Sequence, residues 1–136
     1  ELDGVRYYND SIASSPTRTA AIFQSFPQKL ILIAGGYDKK IPFDQFGEAA
    51  VKHVKLLLLI GNTAPKIREA VERAPGYRES GLSIVDCAGL EEAVHTAREQ
   101  ARPGDIVALS PACASFDMFP NFEARGEAFR RLVEQL

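Results

Sequence analysis

Three short stretches carry the side chains that could do chemistry. Asp10 follows an apolar strand-like segment, and its carboxylate could accept hydrogen bonds from a ribose or an amine. The same residue type at that place can equally close an Asx-turn. Gly35-Gly36-Tyr37-Asp38-Lys39-Lys40 joins two glycines to two lysines, whose charge suits a carboxylate or a phosphate. It lacks the spacing of a Walker A loop and of GxGxxG, and it also reads as a turn with solvated lysines. Ser110-Pro-Ala-Cys-Ala-Ser115 follows the run Asp105 to Leu109 and leads into a helix. Small residues there let a ligand approach the backbone, and hydroxyls with free N–H groups at a helix entrance favour an anion. An ordinary loop with a serine cap is the alternative.

Other chemistries find little support. Cys113 has no histidine beside it in sequence, and His53 and His95 fall in or at the ends of helices, so Cys113 reads as a buried, inert thiol. No HExxH, CxxC or ligand-spaced acidic cluster is present, and a metal site within this chain is not expected. Glu91, Glu92, Glu123 and Glu127 read as solvated helix faces.

These loops need a scaffold. Apolar runs at Val5–Tyr8, Lys29–Ala34, Val54–Ile60, Leu82–Val85 and Asp105–Leu109 read as strands. Between them lie helical patterns. The first is capped by Ser14 or Ser15 and runs to about Phe23. Others span Phe43–His53, Ala64–Ala74 and Leu90–Ala101, and the last carries Phe122, Phe129, Val133 and Leu136 on one stripe. Because most strands are continuous rather than alternating, both of their faces should be covered. The expected fold is therefore α/β: a doubly wound, mostly parallel, Rossmann-like sheet with helices on both faces. Ligands of such sheets bind at the carboxyl ends of the strands, where the three polar loops should converge.

With 136 residues, 46% of them hydrophobic, the chain suits one compact domain with a real core, 1–136. Its net charge of −2 and scattered basic residues argue against a nucleic-acid partner, and its longest apolar stretch is strand-sized, which argues against a membrane span. Two unpaired cysteines and no targeting segment suggest a cytoplasmic protein. Asp3-Gly4 is a hairpin signal without a preceding strand, and no initiator Met is present. The chain is accordingly expected to be a fragment of a longer protein that starts inside a β-hairpin, with Val5–Tyr8 as an edge strand that could run antiparallel.

Three segments, YYNDSIASSPTRT (Tyr7 to Thr19), GGYDKKIPF (Gly35 to Phe43) and LSPACASFDMFPNFEARGEAF (Leu109 to Phe129), match a known family in order and spacing. The chain resembles the C-terminal domain of the Mur ligases that add D-glutamate to UDP-N-acetylmuramoyl-L-alanine. The Asp-Asn-Pro-Arg signature usual in the diamino-acid-adding relatives is absent. The resemblance implies an ATP- and Mg²⁺-dependent amide synthesis in peptidoglycan precursor assembly, proceeding through an acyl phosphate in a monomeric three-domain enzyme. The UDP-binding and ATP-binding domains, with the P-loop and metal ligands, would lie upstream, and the isolated fragment would be inactive. It further implies that Asp10 holds the ATP ribose, and that Ser14, Lys39, Ser115, Phe116 and Phe122 surround D-glutamate. Ser14 stands where many members have Thr. Ile12 stands where some have Lys, and Tyr37-Asp38 where some have Asp-Gly. Two further readings remain: another Mur or folylpolyglutamate-type ligase domain, or a generic α/β module that binds a nucleotide, an amino acid or a partner protein.

Overall fold

The computed structural model describes residues 4–10, 16–36, 42–110, 112–113, 119 and 121–136. Five strands form one sheet: β1 (Arg6–Asn9), β2 (Leu30–Ala34), β3 (Val54–Leu59), β4 (Ser83–Asp86) and β5 (Ile106–Leu109). Their spatial order is β1-β5-β2-β3-β4, and every pairing is parallel. The helices are α1 (Pro16–Ile22), continued by a 3₁₀ turn (Phe23–Ser25), α2 (Asp44–His53), α3 (Ala64–Arg73), α4 (Tyr77–Ser80), α5 (Leu90–Gln100) and α6 (Phe122–Glu134).

All five residues of β2 and all four of β5 are buried, because each strand serves two cores. Leu30, Leu32, Ala34, Ile106 and Ala108 face a core shared with Phe23, Phe46, Ile67 and Val71, from the segment after α1 and from α2 and α3. Ile31, Ile33, Val107 and Leu109 face the other, with Val94 of α5 and Phe129 of α6. Alternate side chains of an extended strand point to opposite faces, so a strand covered on both sides must be apolar throughout. The two edge strands, β1 and β4, are short and largely exposed, which limits pairing with other chains.

One irregularity matters locally. Leu30 pairs with Val54 but Ile31 with Leu56, so Lys55 is an extra residue in β3. This bulge switches parity, which is why Val54, Leu57 and Leu59 share one core. It also frees Lys55 to reach Asp105, with Nζ 2.6 Å from Oδ1.

The N-terminal strand corrects one expectation. β1 does lie at an edge, but it runs parallel to β5, with Arg6 opposite Ile106 and Asn9 opposite Leu109. The crossover through α1 carries the chain from the carboxyl end of β1 back to the amino end of the sheet, where β2 begins, so the two strands point the same way. Gly4, at φ 79°, accepts instead a hydrogen bond from Gly104 N–H at 2.7 Å. The one-turn helix α4 was also unexpected. It sits between two left-handed glycines, Gly76 and Gly81, too short to show periodicity.

Candidate functional site at the carboxyl ends of the strands

Asp10 directly follows β1, and its N–H donates to Leu109 O at 2.8 Å, extending the β1–β5 ladder by one step. Ser110, directly after β5, donates its N–H to Ile33 O at 3.3 Å. This places Ser110 in the middle of the sheet with no solvent exposure. Its hydroxyl donates to Asp10 Oδ2 at 2.9 Å. The buried Thr19 of α1 donates to Ser110 O, and its Oγ1 lies 3.1 Å from both Ser110 O and Ser110 Oγ. The carboxylate of Asp10 is thereby held at the sheet edge by groups that are themselves fixed, which is what precise ligand positioning requires. Beside it, Asn9 Nδ2 donates to Gly126 O of α6 at 2.9 Å.

The second loop leaves β2 through Gly35 and Gly36. A Cβ on Gly35 would lie 1.9 Å from Ile60 O, and its φ is +120°, so glycine is required on two independent grounds. Gly36 N–H donates to Thr63 Oγ1 at 3.0 Å, and Thr63 N–H donates back to Gly36 O at 3.2 Å. The third loop follows β5. Ala112 has φ 64°, a left-handed conformation that costs an alanine about 1–2 kcal/mol. Next to it lies the buried Cys113, held by Thr63 and Arg125. Its Sγ lies 3.2 Å from Thr63 Oγ1, and its carbonyl accepts from Arg125 Nη1 at 2.7 Å. Arg125, on α6, is fully buried.

The described flanks of all three loops thus meet at one edge, as expected. Asp10 is on that edge, and Phe122 is the first residue of α6, 39% exposed and next to the Asn121 cap. Ser14, Lys39, Ser115 and Phe116 lie outside the described residues, as do Ile12 and Tyr37-Asp38. Cys113 is buried, in line with an inert thiol. At Cys87, burial and then the nearby Glu92 carboxylate push the thiol above its ordinary value, away from a reactive thiolate. Among the described residues no group of three His, Cys, Asp or Glu could hold a metal ion, and no helix is long and apolar enough to cross a membrane.

Sequence reasoning missed the residues that fix the loops: Thr19, Thr63 and Arg125. Arg125 had a signal, because it falls between Phe122 and Phe129 on the apolar stripe of α6, where a charge is out of place. Thr19 and Thr63 had none, since small polar residues near helix starts are ordinary. At the opposite edge, a groove of about 560 Å³ is lined by Lys55, Ser83, Arg102 and Asp105 among others. Lys55 and Asp105 answer each other's charge there.

The model of one family, "Mur ligase, glutamate ligase domain", matches residues 1–113. The chain belongs to that family. It is 54% identical over all 136 residues to the UDP-N-acetylmuramoylalanine–D-glutamate ligase of Clostridium botulinum strain Okra, and 51% identical to that of Clostridium tetani. In each case it spans 30% of the relative's length. Among solved structures, a murein peptide ligase from Psychrobacter arcticus matches with a TM-score of 0.63 at 12% identity, covering 98% of this chain and 28% of that one. A domain from Haemophilus ducreyi, described as part of a UDP-N-acetylmuramate:L-alanyl-γ-D-glutamyl-diaminopimelate ligase, matches with a TM-score of 0.57 at 12% identity. It is covered to 93%, against 96% of this chain. At that identity the structures speak for the fold, which is that of the glutamate ligase domain of Mur ligases.

Proposed function

We propose that this chain is the C-terminal, amino-acid-binding domain of a larger ATP-dependent ligase that joins D-glutamate to UDP-N-acetylmuramoyl-L-alanine. The observation that carries this reading is identity above 50%, over the whole chain, to relatives named for that reaction. The chemistry fits. A carboxylate is a poor acyl donor, so its oxygen first attacks the γ-phosphorus of ATP and ADP leaves. The amine of D-glutamate then attacks the acyl phosphate, phosphate leaves and the amine proton is lost. Asp10, fixed by Ser110, is an acceptor suited to the ribose hydroxyls of ATP. Lys39, Ser14 and Ser115 would bind the carboxylates of D-glutamate, with Phe116 and Phe122 as an apolar wall. Holding both carboxylates orients the amine, and such positioning can supply several kcal/mol of the barrier.

In this reading Mg²⁺ and the phosphate-binding loop belong to the part of the ligase outside this chain, which spans 30% of its relatives' length. In this reading the enzyme is cytoplasmic and monomeric. The test is substrate dependence in the complete enzyme. Phosphate release is expected only when ATP, Mg²⁺, D-glutamate and the UDP-sugar are all present, and the isolated chain should give none. A complete enzyme that forms its amide with a different amino acid and ignores D-glutamate would refute the assignment.

A further inference from the structure

We infer that Thr63, in the β3–α3 turn, is a positioning residue for the amino-acid site; the inference rests on the function proposed above. Thr63 occupies the N-cap of α3, where a threonine hydroxyl ordinarily accepts a hydrogen bond from its own helix. Here it makes no such bond. The hydroxyl turns instead toward two other loops. It accepts from Gly36 N–H at 3.0 Å and lies 3.2 Å from Cys113 Sγ, fully buried in both directions. The main chain reinforces one arm, since Thr63 N–H donates to Gly36 O. Arg125 reinforces the other by holding Cys113 O.

One oxygen atom therefore ties the start of the GGYDKK loop to the middle of the SPACAS loop. Gly36 stands three residues before Lys39, and Cys113 two residues before Ser115. Two residues assigned to D-glutamate therefore follow, in sequence, anchors that share Thr63. D-glutamate needs both loops to leave the sheet in register with one another, and a shared anchor fixes their described flanks. A hydroxyl that merely stabilised α3 would bond to α3. Asp10 is held by a separate set, Ser110 and Thr19, so the ATP side should not respond to Thr63.

The experiment compares Thr63→Val and Thr63→Ser in the complete enzyme, with each substrate varied in turn. Valine keeps the shape and removes the hydroxyl, and the freed, buried Gly36 N–H should displace the loop. The expected result for Thr63→Val is about a tenfold rise in the KM for D-glutamate, with the KM for ATP and for the UDP-sugar within about twofold of wild type. Thr63→Ser should restore the D-glutamate value. An unmoved D-glutamate KM, or an equal rise in all three, would overturn the inference. Should Thr63→Val not fold, Cys113→Ala removes the other end of the contact and should alone raise the D-glutamate KM about threefold; no change there also overturns it. Wild-type turnover with D-glutamate separates the two readings. Its presence beside an unmoved Thr63→Val refutes only the role of Thr63, and its absence refutes the proposed function as well.

Discussion

Ser110 and Asp10 stand a hundred residues apart in sequence, and the hydroxyl of the first donates to the carboxylate of the second across 2.9 Å. The contact exists because β1 and β5 are parallel neighbours that end at the same level. Ser110→Ala should therefore act at a distance from its own loop. A hydrogen bond to a charged group contributes about 1.5–3 kcal/mol, discounted here because Asp10 is partly exposed. We expect a rise of about three- to tenfold in the KM for ATP, with D-glutamate little affected. Asp10→Ala should show the same preference more strongly. A Ser110→Ala enzyme altered only toward D-glutamate would contradict the pairing's assigned role.

Lys39 and Ser115 should behave in the opposite way. Losing a charged hydrogen bond costs about 1.5–3 kcal/mol and a neutral one about 0.5–1.5, so Lys39→Ala should hurt more than Ser115→Ala. Both should raise the KM for D-glutamate above that for ATP or the UDP-sugar. Because Asn121 caps α6, Ser115→Ala is expected to leave thermal stability near wild type, and a variant that loses stability while keeping its D-glutamate KM would contradict the assignment. Kinetics paired with thermal melts distinguish the two results.

Gly35 and Gly81 form a controlled pair for stability. Gly81→Ala meets nothing within 4 Å and should cost only the left-handed backbone, about 1–2 kcal/mol. Gly35→Ala adds a methyl 1.9 Å from Ile60 O, on backbone that cannot yield without breaking the β2–β3 edge. It should cost more than about 4 kcal/mol, in the range reserved for severe core damage. Comparable urea midpoints for the two variants would refute the close approach.

Asp105 gives a pH prediction. Burial alone would raise its carboxyl, but the hydrogen bond from Lys55, the Arg102 N–H and the charges of Lys55 and Arg102 together hold it below the usual carboxylate range. A depressed folded value stabilises above the unfolded aspartate value of about 3.9, and that stabilisation is lost as pH falls through the folded one. Asp105→Asn should thus melt below wild type at neutral pH, and the gap should close as acid takes the pH below the unfolded aspartate value and on through the folded one. A gap independent of pH would show that the charge is irrelevant.

The strands were readable because burial on both faces leaves an unbroken apolar run, as in Leu30–Ala34 and Leu56–Ile60. Direction was not readable for β1. A turn signal such as Asp3-Gly4 reports a local bend, whereas orientation depends on which strand comes alongside, and that strand lies about a hundred residues away. The same limit explains the site. Asp10 announced itself by type and place, but the partners that hold it, Ser110 and Thr19, could be joined to it only by the fold. Arg125 shows the opposite failure. Its position on the apolar stripe of α6 pointed to burial, yet an arginine is taken for a surface residue until its carbonyl partner at Cys113 is seen.

The order β1-β5-β2 has a consequence for how the protein comes into being. Strands neighbour one another at about 4.8 Å, so β1 and β2 stand about 10 Å apart with a slot between them. The segment that fills the slot is the latest in sequence of the described strands. Until residues 106–109 arrive, β1 has no neighbour in the sheet and β2 keeps one edge open, a state prone to pairing with other chains. The ends that carry Asp10 and Gly35 reach their fixed separation only when that slot is filled. Assembly of this edge is therefore expected to wait for β5, and a nascent chain halted ahead of Asp105 to depend on whatever shields its two raw edges.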